Sequence, residues 1–111
     1  MSVTIIEQSR EFNKKEVYNM TAAMGIEKIS DFNGEQIDVA GYIVFEDTKD
    51  DKVTTVLSIV DTDGRVYATN SETFRRNFLE IANIMSPELF TISVCAGESK
   101  AGRTFYFCRL V

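Results

Sequence analysis

The chain predicts a mainly-β domain built around one helix, and three observations carry that prediction. Between Gln36 and Val111 the residue pattern gives three strand-like runs, one amphipathic helix, and two more strand-like runs. Gly41 interrupts the longest run, where a bulge or bend lets one strand serve both halves of a small barrel. Asp63-Gly64 supplies a tight-turn signal between the second and third runs. The β-β-β-α-β-β order is that of a five-stranded Greek-key barrel of the OB type, a fold that holds single-stranded nucleic acid or oligosaccharides on one sheet face. Residues 1–35 then form an N-terminal extension packing on a barrel of residues 36–111, within a single domain.

Taken in order, Val3 to Ile6 reads as a short strand or a frayed arm. Phe12, Val17, Tyr18 and Met20 form no clean helical stripe, so the pattern supports a helix there only weakly. Ile26, Ile29 and Phe32 are spaced by three, which fits a short helical turn on the core, and Asn33-Gly34 closes that region. In the run Gln36–Glu46, alternation puts Ile37, Val39, Gly41, Ile43 and Phe45 on one side and Tyr42 and Val44 on the other. A charged loop over residues 47–52 leads to the β-branched run Val53–Asp61, and Arg65–Thr69 follows the Asp-Gly turn. Asn70 and Ser71 are helix-capping residues. Phe74, Phe78, Ile81, Ala82 and Met85 then recur at helical spacing until Pro87. Phe90–Cys95 and Thr104–Leu110 are the last two strands.

Composition narrows the function classes. No run approaches the roughly 20 apolar residues of a membrane helix, and the first residues lack a signal-peptide pattern, so a cytoplasmic protein is expected. Histidine is absent altogether, which removes the commonest general base and the commonest transition-metal ligand. Cys95 and Cys108 lack metal-ligand spacing and are expected as apolar thiols in the barrel wall. Asp61-Thr62-Asp63-Gly64 resembles the start of a calcium loop only in part, because the flanking helices are missing. Neither an enzyme nor a cofactor or metal site is expected.

The net charge of −5 argues against a nucleic-acid binder, but it is unevenly spread. Residues 1–63 carry 6 basic and 13 acidic residues, whereas residues 64–111 carry 6 basic and 4 acidic ones. Single strands are held by bases stacked on exposed aromatics beside a basic track. Arg65, Tyr67 and Thr69 share one face of the third run, so Tyr67 is the leading stacking residue and Arg65 the first phosphate contact. Tyr42 and Tyr106 are further stacking candidates, with Phe105 and Phe107 expected to fill the barrel instead. Lys49 and Lys52 in one loop, and Lys100 and Arg103 in another, fall in the two loops that border an OB groove.

Three segments resemble small proteins encoded by phages and mobile elements of Gram-positive bacteria. They are Phe12 to Thr21, Asp61 to Ser71 followed by Thr73-Phe74, and Ser99 to Arg103. That family resembles phage-type single-stranded DNA-binding proteins and neighbours of replication genes. The resemblance implies a sequence-independent single-stranded DNA binder in phage or plasmid replication or recombination. Its implied partners are single-stranded DNA and replication proteins, with self-association open. Many bacterial single-stranded DNA-binding proteins end in an acidic tail, whereas this chain ends Arg109-Leu110-Val111 directly after a strand. The alternative is a mobile-element accessory or inhibitor protein that uses its acidic half against a basic host protein.

Overall fold

The computed structural model describes residues 2–111. Ten elements follow in order: β1 (Ser2–Gln8), α1 (Lys14–Thr21), β2 (Glu27–Lys28), a 3-10 turn (Ile29–Phe32), β3 (Gln36–Lys49), β4 (Lys52–Asp61), β5 (Val66–Thr69), α2 (Glu72–Met85), β6 (Phe90–Glu98) and β7 (Thr104–Leu110). The strands form one curled sheet in the order β2-β5-β4-β3-β6-β7, with β1 added on β3. All ladders are antiparallel except β2–β5. The result is a mainly-β half-barrel whose ladder path begins at β2 and ends at β7, with α2 packed against β7. Among the described residues no helix is long and apolar enough to cross a membrane.

The long strand β3 organises everything else. Its first residues, Gln36 to Val39, pair with β6, and its later residues, Ile43 to Thr48, pair with β1. The change of partner falls at a bulge between Val39 and Gly41, opposite Val60 of β4. An inserted residue reverses the alternation that follows it. Ile37 and Val39 therefore share the barrel interior with Tyr42 and Val44, not with Ile43 and Phe45. This corrects the face assignment made from alternation alone.

Two cores result. The larger lies inside the curl, where Ile29, Leu57, Ile59, Ile92 and Val94 meet Phe74, Phe78 and Ala82 of α2. Ser71 starts α2 by accepting a hydrogen bond from the Phe74 amide at 3.2 Å. The smaller core lies on the outer face of β3 and β4, where Ile43 and Phe45 are covered by Met20, Val17 and Phe12. Helix α1 begins at Asn13, whose side chain accepts from the Glu16 amide at 2.8 Å while the Glu16 carboxylate accepts from the Asn13 amide at 3.1 Å. Such a reciprocal capping box starts a helix that its apolar spacing does not announce. Phe12 lies directly over Gly41, where a Cβ would stand 2.9 Å from the ring.

The hairpins set the solvent-facing ends. Strand β3 continues to Lys49 and turns through Asp50 and Asp51, both at positive φ, so the charged loop is a two-residue turn with Lys49 opposite Lys52. The Asp61–Arg65 turn holds three residues rather than two. The Asp61 amide donates to the Arg65 carbonyl, and Gly64 takes the positive-φ position.

Candidate functional site

Two of the tyrosines that the sequence offers for stacking, Tyr67 and Tyr42, are inside the protein. Tyr42 and Tyr67 both pair with Ile59, so the three side chains form one row across β3, β4 and β5 on the inner face. Tyr67 is 4% exposed and Tyr42 8%. The Tyr67 ring meets Phe32 edge-on, and its hydroxyl donates to Asp61 Oδ2 at 3.0 Å. Burial, and secondly that bond, push the phenol up to about 12. Burial also raises Tyr42, whose ring meets Phe78 edge-on, with the nearby Glu7 carboxylate adding to the rise. Neither ring is free to stack on a base.

Arg65 is likewise occupied. Its guanidinium donates to Glu27 Oε2 at 2.7 Å and lies 5.5 Å from the Phe32 and Tyr67 ring centres. The hydrogen bond to Glu27 raises its pKa above the ordinary arginine value. Arg65 thus fastens β5 to the two-residue strand β2, and Asp61 closes the cluster by accepting from the amides of Asp63 and Arg65.

The last strand reverses the expected facing. Cys108 is buried in the main core and Tyr106 packs against it half-buried, while Phe105 and Phe107 stand on the outer face. Phe105 is 38% exposed. The two rings pack on each other with centres 5.8 Å apart, and the Arg109 guanidinium lies 5.5 Å from the Phe107 ring centre. Across the ladder, Ser93, Cys95 and Gly97 of β6 lie opposite Arg109, Phe107 and Phe105. Arg103 directly precedes β7, and its carbonyl accepts from the Ser99 amide at 2.8 Å across the hairpin tip. Cys95 and Cys108 occupy opposite faces and are both free thiols, with burial holding Cys108 up at about 12.

The lysine pairs do not converge. Strand β6 runs antiparallel to β3 with Ser93 beside Gln36, so the tip carrying Lys100 and Arg103 lies past the first residue of β3. The tip carrying Lys49 and Lys52 lies at its last residue. Among the described residues the ion pairs are Arg10–Glu16 and Arg65–Glu27, so Lys49, Lys52, Lys100, Arg103 and Arg109 have no carboxylate partner there.

The arrangement on β7 is therefore Phe105, Phe107 and Arg109 along one outer strand face, with Lys100 and Arg103 at the adjoining tip. An aromatic-cationic strand face suits a flexible polyanion with planar groups. The clefts of about 290 and 380 Å³ lie elsewhere, the first beside Glu27 and Arg65 and the second beside Gly41 and Leu89. Phe105, Phe107 and Arg109 were the residues that sequence reasoning passed over as a site. Their signal was the Arg-x-Phe-x-Phe-x-Arg alternation opposite the small residues of the preceding strand. Compared with protein-family models, curated proteins and solved structures, the chain shows no significant match to any.

Proposed function

We propose that the protein is a non-enzymatic binder of single-stranded DNA, built on an OB-type half-barrel, that coats the strand without sequence preference. The observation supporting this reading most directly is the outer-face pair of exposed Phe105 and half-buried Phe107 beside Arg109, which forms no ion pair among the described residues. Bases stack on the two rings, and Arg103, Arg109 and Lys100 meet phosphates. Residues 90–111 hold three basic residues and one acidic residue, so this hairpin is locally cationic on an acidic protein. Local charge of this kind draws a polyanion to one face while the rest repels it. The setting in phage or plasmid replication rests on the family resemblance of the three segments described above.

Fluorescence anisotropy with a labelled oligo-dT strand and a matched duplex, repeated over a salt series, tests the reading. Tighter binding of the single strand, falling as salt rises, is the expected result. No single-strand binding at low salt overturns it. Attention then moves to the acidic half, residues 1–63, as a surface for a basic protein.

A further inference from the structure

We infer that Gly97 is a positioning residue that makes the β7 rings a platform, an inference that rests on the binding role proposed above. Gly97 stands directly opposite Phe105 in the β6–β7 ladder. A Cβ built on Gly97 would lie 2.7 Å from Phe105 Cζ and 3.2 Å from each Cε. Contacts that short do not occur between carbon atoms, so the tip of the Phe105 ring occupies the space a side chain would fill. The ring reaches across β6 instead of standing out from β7.

The positions beside it extend the same logic. Cys95 opposite Phe107 and Ser93 opposite Arg109 are also small, and the row ends near the hairpin tip with no side chain at Gly97. Long side chains on one strand lean over short ones on its neighbour. A side chain at position 97 displaces the ring tip and breaks the continuity of the surface with Phe107, 5.8 Å away. Gly97 has no positive-φ requirement of its own, in contrast to Gly25, Gly34, Gly64 and Gly102. What requires glycine there is the space taken by the ring.

A purely structural account is that Phe105 simply shields the Gly97 backbone, as aromatic residues do opposite glycines in sheets. The two accounts separate in a double-mutant cycle read by oligo-dT binding. Gly97→Ala and Phe105→Leu should each weaken binding by about tenfold. The double variant should be no weaker than either, because both act through one ring. Melting curves establish that each variant is folded. Unchanged affinity in a folded Gly97→Ala variant, or additive losses in the pair, overturns the inference while the binding role stands. Failure of the wild-type protein to bind overturns both.

A second measurement needs no variant. The Gly97 Hα resonances of the wild-type protein should lie upfield under the Phe105 ring current and move when oligo-dT is added. Hα resonances at ordinary glycine positions, unmoved by the oligonucleotide, overturn the inference even if Gly97→Ala fails to fold.

Discussion

Two clusters in this protein combine phenylalanine or tyrosine rings with an arginine, and they are built to opposite ends. In the β5 cluster the arginine is paired with Glu27, the tyrosine hydroxyl is bonded to Asp61, and the ring is 4% exposed. In the β7 cluster no acid faces Arg109 among the described ion pairs, and the Phe105 ring is 38% exposed. The first cluster satisfies its own polar groups and joins β5, β2 and the 3-10 turn. The second leaves cations and ring faces to whatever approaches. Residue type alone thus does not separate the two clusters, whereas the presence or absence of nearby carboxylates does.

The sharpest way to break this comparison is to delete a ring from each cluster and measure both stability and binding. Tyr67→Ala should cost about 3–5 kcal/mol of folding free energy, the range for emptying a large aromatic site in a core, as read by urea unfolding. Phe107→Ala should weaken oligo-dT binding by about 1–3 kcal/mol with a stability change well below that of Tyr67→Ala. A Tyr67→Ala variant that stays fully stable but loses binding would reverse the roles assigned here.

Smaller changes sharpen the picture. Tyr67→Phe keeps the ring and removes only the bond to Asp61, so unfolding should become easier by about 1 kcal/mol with binding unaltered. Arg109→Gln should reduce the slope of log affinity against log salt by about one, whereas Arg65→Gln should leave that slope unchanged. Arg65→Gln should also shift stability less than Tyr67→Phe does, since its pair with Glu27 is solvent-accessible.

Alkaline pH offers a further test of the closed cluster. Cys108 and Tyr67 both lose their protons near pH 12 in the folded protein, above their ordinary values of 9 and 10. Their folded-state pKa values are raised, so their contribution to stability is complete below pH 9. It is lost as pH rises, first as the unfolded Cys108 thiol ionises and then, from pH 10, as the unfolded Tyr67 phenol does. Urea unfolding between pH 8 and 11 should show this decline, and Cys108→Ala should delay its onset.

The strands from Gln36 onward and the helix Glu72–Met85 were legible from alternation, the Ser71 cap and Pro87. What alternation does not provide is which face is inside when both are apolar. On β7 it separates Phe105 and Phe107 from Tyr106 and Cys108, and either pair could line a core. The structure puts the smaller thiol and the tyrosine in, under α2, and the phenylalanines out. At Gly41 the glycine announced a bulge, but its parity consequence for Tyr42 depends on where the extra residue falls. Tyr67 was assigned outward because Arg65 shares its face. That arginine in fact reaches Glu27 over the rim while the ring stays with Ile59 inside. The Asn13–Glu16 capping box was present in the sequence as a start signal for α1, although the helix has too short an apolar stripe to stand out by periodicity.

The bulge at Gly41 also divides β3 between a near partner and a distant one. Strands β3 and β4 are joined by two residues, so their ladder closes locally, as soon as both are made. Strand β1, in contrast, pairs Ser2 with Thr48, and the whole of α1 and β2 lies between those partners in the chain. Pairing β1 with the far half of β3 therefore closes a much longer stretch of chain than pairing β3 with β4.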